Sequence, residues 1–131
     1  MTQIARHLSV SIERAPSDVY AFVSDPANLP QWAAGLSGSI KQVEGEWVAE
    51  SPMGAVKVKF ADRNPFGVLD HEVTLPSGVT VLNPMRVFPN AEDSEVVFTL
   101  YRRPGMSEHD FVADGDQVQK DLGRLKALME A

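Results

Sequence analysis

A chain of 131 residues with no cysteine is long enough to bury one core without metals or disulfides, and it is barred from thiolate nucleophiles and from Cys-ligated zinc or iron–sulfur sites. Twelve Lys+Arg against eighteen Asp+Glu give a net charge of −6, which repels nucleic-acid phosphates and anionic membrane surfaces, so neither is an expected partner. No run approaches the roughly 20 apolar residues of a membrane span, and residues 1–7 lack an apolar signal core. These absences predict a soluble cytoplasmic protein, and without repeats or linkers residues 1–131 read as a single domain.

Residues 4–12 alternate, with Ile4, Leu8, Val10 and Ile12 on one face and His7, Ser9 and Ser11 on the other, the pattern of a half-buried strand on which Arg6 is the exception. Pro16 and Ser17 open a short helix to residue 24 with Val19, Phe22 and Val23 as its apolar stripe. Asp25-Pro26 ends it, because a residue before proline avoids the helical region. A second short helix over 28–34 stops at Gly35. The period then switches to two, predicting strands over 36–43, 46–51, 55–61, 68–75, 79–88 and 95–103, separated by Gly- and Pro-containing turns. Lys57 and Lys59 on one strand and Asp70, Glu72 and Thr74 on another share the wet face of an antiparallel sheet. Ser107 caps a final helix to about Met129, with Glu108 and Asp110 in its first turn. Phe111, Val118, Leu122, Leu125 and Met129 form its apolar stripe. Gly115 and Gly123 weaken this helix by about 1 kcal/mol each relative to alanine, and Gly115 marks a bend.

Three segments carry a family resemblance: Ala-Pro-Ser-Asp-Val-Tyr-Ala-Phe-Val-Ser-Asp-Pro at 15–26, Asn-Leu-Pro-Gln-Trp at 28–32 and Asp-Leu-Gly-Arg-Leu-Lys-Ala-Leu-Met-Glu at 121–130. With the order of elements, the chain resembles the START-like (SRPBCC) superfamily along essentially its whole length, and within it the polyketide cyclase/dehydrase and lipid-transport subgroup. The resemblance implies an α+β helix-grip fold: a seven-stranded antiparallel sheet curved around a long C-terminal helix, with two short helices between strands 1 and 2. It also implies a cavity between sheet and helix. The positions it nominates as ligand-lining are Phe60, His71, Val73, Val81, Asn83, Met85, Phe98, Leu100, Phe111, Val118 and Leu122, with Trp32 and Met53 near the mouth. The chain is short for the family, so a nearly filled core is the alternative to an open hollow.

Candidate chemistry is sparse. His71 shares a face with Leu69 and Val73, which makes it the best acid/base candidate, against the plainer reading of a hydrogen-bonded core histidine. Asn83 could orient a ligand's carbonyl or hydroxyl, although Pro84 beside it equally predicts a distorted strand. Trp32 offers a broad face for a flat ligand, while Trp47 reads as structural. Met53, Met85 and Met106 read first as gap fillers. Asp114-Gly115-Asp116 lacks the further ligands of a calcium loop and reads as a surface acidic pair. Histidines at 7, 71 and 109 do not have metal-site spacing, and no nucleotide-cradling glycine motif or nucleophile elbow occurs, so neither a metal nor any other cofactor is expected and no residue is assigned as catalytic.

The leading reading is a carrier that binds a small hydrophobic molecule, a lipid, a sterol or a polyketide-like aromatic. The competing reading is a cyclase- or aromatase-type enzyme in which His71, Asn83 or Arg86 handles protons in the same cavity. A third is a protein-interaction module with a vestigial cavity. Polarity inside the hollow separates the first two, since two or more converging ionisable groups favour an enzyme. Ligand identity and oligomeric state are not legible in the sequence.

Overall fold

The computed structural model describes residues 1–36 and 38–131. After β1 (Ala5–Ile12) come α1 (Pro16–Val23), a 3-10 turn (Pro26–Asn28), the single turn of α2 (Leu29–Trp32) and another 3-10 turn (Ala34–Leu36). Pro16 sits in the first turn of α1, where its missing N–H costs nothing. The Asp25 carboxylate then accepts the Ala27 N–H at 3.0 Å and starts the next turn. Strands follow at β2 (Ile40–Val43), β3 (Glu46–Ser51), β4 (Gly54–Phe60), β5 (His71–Thr74), β6 (Thr80–Asn83), β7 (Met85–Asn90) and β8 (Asp93–Tyr101), and α3 (Glu108–Glu130) closes the chain. The strand expected over 36–43 begins only at Ile40, because Leu36 belongs to a 3-10 turn, and its Ser37 lies outside the described residues.

The expected single seven-stranded sheet is in fact, among the described residues, eight strands in two antiparallel sheets, ordered β1-β8-β7 and β2-β3-β4-β5-β6. The predicted strand over 79–88 is divided by Pro84, which has no N–H to give to the ladder. His71 pairs with Asn83 on one side of the break, and Val68 bridges Arg86 on the other, in the same register. Asp70 falls opposite Pro84 and repairs the gap. Its Oδ1 accepts the Met85 N–H at 2.9 Å, and both its oxygens accept from Arg86 at 3.0 and 2.9 Å. The Pro84 carbonyl meanwhile accepts the Thr99 N–H of β8. One strand thus crosses from the five-stranded sheet to the three-stranded one at a corner held by Asp70.

The core lies where α3 packs on β1, β8 and α2. It gathers Leu8, Ile12, Val96, Leu122, Leu125 and Met129 with Val19 and Val23 of α1 and Leu29 and Trp32 of α2, each of the larger side chains contributing about 1.5–3 kcal/mol by burial. α3 is continuous from Glu108 to Glu130, so Gly115 does not interrupt it. Gly115 instead makes room for the Arg6 side chain, whose guanidinium a Cβ at that position would strike. The same contact explains the cation on the apolar face of β1, which reaches past the glycine to Asp116 at 3.9 Å.

Candidate functional site

Because α3 lies over β1 and β8, it leaves β5 and β6 uncovered on their inner face. The gap is a solvent-open cleft of about 280 Å³. Its floor is Val73 of β5 and Val81 and Asn83 of β6, cross-strand neighbours in the ladder, together with Phe98 and Leu100 of β8. Val118 of α3 forms the opposite wall. Met53, Leu75 and Tyr101 stand at the strand ends, and Gly35 at the rim.

The polar part of the lining comes mostly from α3 and the end of β8: Arg103, Asp114, Gln117 and Asp121. Asp114 and Asp121 are seven residues apart, two helical turns or about 10 Å along one face. Asp121 is half-buried, and its Oδ1 accepts the Ala34 N–H at 3.2 Å and Gln117 Nε2–H at 2.9 Å. Burial pushes its carboxyl above the ordinary aspartate range, and these hydrogen bonds and Arg124 only partly pull it back. Asp114 is also raised by partial burial, with Arg103 opposing and Asp110 reinforcing the shift. It is the more exposed of the two, so solvent screens it more.

Of the thirteen positions named from sequence, Met53, Val73, Val81, Asn83, Phe98, Leu100 and Val118 line this cleft. The other six do not. Met85 and Leu122 are wholly buried, and Trp32 and Phe111 nearly so, all four in the core cluster behind the cleft. Trp32 is therefore a core residue and not a mouth residue, and its Nε1–H has no hydrogen-bond partner among the described residues. His71 is buried, with Nδ1 3.0 Å from the Leu69 carbonyl oxygen. It is stacked on Phe60 at 4.8 Å and meets Phe98 edge-on at 5.8 Å. Burial lowers its pKa, so the ring is held neutral, and it borders a small separate groove with Asp70 and Leu82, not the cleft. Phe60, on the same face of the sheet, lines a separate groove beside Trp47. Arg86 is on the outer face with Asp70 and does not reach the cleft.

Three other depressions are larger, but none lies between α3 and the sheet. One, of about 440 Å³, rests on the exposed side of α3 around His109 and Asp116 and has no second wall. A second, of about 540 Å³, runs over β3, β4 and β5 beside Ser24 and Pro26 and mixes inward side chains such as Phe60 with outward charges such as Lys57 and Glu72, and a third, of about 330 Å³, lies between α1 and the Asn64–Gly67 segment. Asn83 was named from sequence, but the polar residues that α3 gives the cleft were not, because a polar face on a helix reads as solvent-facing. Only the offset of α3 from β5 and β6 turns that face inward.

A family model described as polyketide cyclase / dehydrase and lipid transport matches residues 4–130. No curated protein matches the sequence. Among solved structures, the chain is similar to the Aha1 dimer from Colwellia psychrerythraea (TM-score 0.76, 14% identity, 97% of this chain and 96% of that one). It is also similar to DR_A0006 from Deinococcus radiodurans (TM-score 0.65, 22% identity, 98% of each chain). DynU16, a protein in the dynemicin biosynthetic locus, matches with TM-score 0.74 and 17% identity over 97% of this chain, which spans only 47% of DynU16. At these identities the likeness establishes the fold.

Proposed function

The chain belongs to the polyketide cyclase/dehydrase and lipid-transport family, and from that premise we propose that it reversibly binds one small, largely apolar molecule in the cleft between α3 and the β5–β6 surface. The observation that carries this reading is the cleft's composition: an aliphatic and aromatic floor with a few polar groups on one wall, the makeup of a small-molecule site. Its volume, about 280 Å³, is at the small end of ligand pockets, which run from about 300 to 1,000 Å³. A flat aromatic of one or two rings suits it better than a sterol or a long acyl chain. The binding is assigned to a single domain acting in the cytoplasm, since the chain has no cysteine and no described helix is long and apolar enough to cross a membrane.

The test is uptake of N-phenyl-1-naphthylamine, a neutral probe that brightens when desolvated. Wild type is expected to bind it, and Val118→Trp, which fills the cleft from its α3 wall, to lose it while keeping the native circular-dichroism spectrum. Uptake unaffected by Val118→Trp would place the site elsewhere.

Catalysis of the cyclase type is the second reading, and one observation favours it: Arg103, Asp114 and Asp121 all line the cleft, the convergence of ionisable groups that acid/base work requires. Native mass spectrometry of protein from its own host separates the two. A co-purifying molecule released unchanged after re-incubation supports carriage, and one recovered chemically altered supports an enzyme.

A further inference from the structure

We propose that the ligand of this cleft carries a positive charge at one end, an amine or amidine group, seated beside Asp121 with Asp114 as the second counter-charge. The inference rests on the binding reading above and specifies its chemistry. An apolar body fixed on Val81, Phe98 and Leu100 has its polar end directed at α3, because the charged groups of the lining lie along that helix and at the adjoining end of β8.

The charges that face this wall can be taken element by element. From α3 come Asp110, beside Asp114, the two lining aspartates, and Arg124, beside Asp121; from the end of β8 comes Arg103. Three carboxylates against two guanidiniums leave the wall negative, within a chain that is itself negative. Neither lining aspartate has a cation within 4.0 Å among the described residues. Oδ1 of Asp121 is occupied by Ala34 N–H and Gln117 Nε2–H, and no described hydrogen bond uses Oδ2. An N–H-rich cation supplies both the missing charge and the missing donor. An anion there would meet two aspartates at close range, and a neutral aromatic would desolvate them with no return.

Both carboxyls already stand above their ordinary range because burial disfavours their charge. A bound cation lowers them and expels protons, whereas a neutral ligand raises them and takes protons up. Affinity for an amine should therefore fall as pH is lowered through the carboxylate range, while affinity for a neutral analogue rises.

Three ligands of one shape make the test: 2-naphthylmethylamine, 2-naphthylmethanol and 2-naphthoic acid, titrated calorimetrically at pH 7. The amine is expected to bind about tenfold more tightly than the alcohol, the range of one charge-assisted hydrogen bond at a partly exposed site, and the acid most weakly. In Asp121→Asn, where an amide oxygen can still accept from Ala34, the amine's advantage should shrink severalfold while the alcohol's affinity holds. Asp114→Asn, at the more exposed carboxylate, should reduce it less. If alcohol and amine bind equally, or the acid binds best, the charge assignment is overturned and the binding reading stands. If none of the three binds, the binding reading fails with it.

Discussion

Gly67 and Gly123 are the same residue type in opposite situations. Gly67 has φ +71°, and a Cβ there would run into the Val87 carbonyl oxygen, an atom tied to the β7 backbone that cannot swing aside. Gly123 lies inside α3 with nothing within 4 Å of an added Cβ. Gly67→Ala should cost about 3 kcal/mol or more, from left-handed backbone strain plus the displaced strand. Gly123→Ala should add about 1 kcal/mol, read as a rise in melting temperature of about 3–5 °C. Thermal melts of the two variants decide the matter, and a neutral Gly67→Ala would show that the 61–70 segment is looser than its hydrogen bonds imply. Met85 teaches a related lesson. Inward parity correctly puts it under the sheet, but parity does not distinguish a cavity wall from a filled core, and Met85 is fully buried. Met85→Trp should overpack and destabilise by about 1–3 kcal/mol, whereas Val118→Trp, at the cleft, should be tolerated.

At the level of elements, alternation was enough to place β1, β4 and β8, whose faces bury in turn as the period-two pattern requires. The stripe on α3 was equally legible from its spacing. What the sequence concealed are features made by partners distant in the chain. The division of the sheet depends on Pro84 meeting Asp70, and each residue alone reads only as a breaker and a wet-face acid. Arg6 and Gly115 are two oddities that explain each other once β1 and α3 touch. The corner at Pro84 yields a prediction of its own. Asp70 is held below the ordinary aspartate range mainly by its hydrogen bonds with Arg86, against the cost of burial. A lowered carboxyl stabilises the fold above its unfolded pKa near 3.8, and that contribution is lost as pH falls through the folded value. Asp70→Ala should also leave the Met85 N–H without its acceptor, costing about 1–3 kcal/mol at pH 7. Urea melts at pH 7 and pH 3 should show this cost shrinking in acid, and an equal cost at both would mean that ionisation of Asp70 does not matter.

For the molecule as a whole, the response to acid is set by groups with opposite tendencies. Asp114 and Asp121, raised by burial, make the fold prefer their protonated forms, so they add stability as pH drops from their raised values toward the ordinary aspartate range. His71 works against them and acts first. Its pKa is lowered from 6.5 because burial between Phe60 and Phe98 disfavours the imidazolium, despite the Leu69 carbonyl and the charge of Asp70. Above pH 6.5 the ring is neutral in both folded and unfolded chains and imposes no penalty. Below it the unfolded chain binds a proton that the folded chain refuses, so stability declines until the folded pKa is reached. Melting temperature should therefore begin to fall as pH passes below about 6.5, well before most carboxylates titrate. His71→Gln retains an N–H donor for the Leu69 carbonyl but cannot ionise, so it should flatten this limb between about pH 6.5 and 5 even if it lowers stability at pH 7. A wild-type curve already flat there, or a variant that keeps the decline, would show that the acid sensitivity of the fold lies outside the Phe60–His71–Phe98 stack.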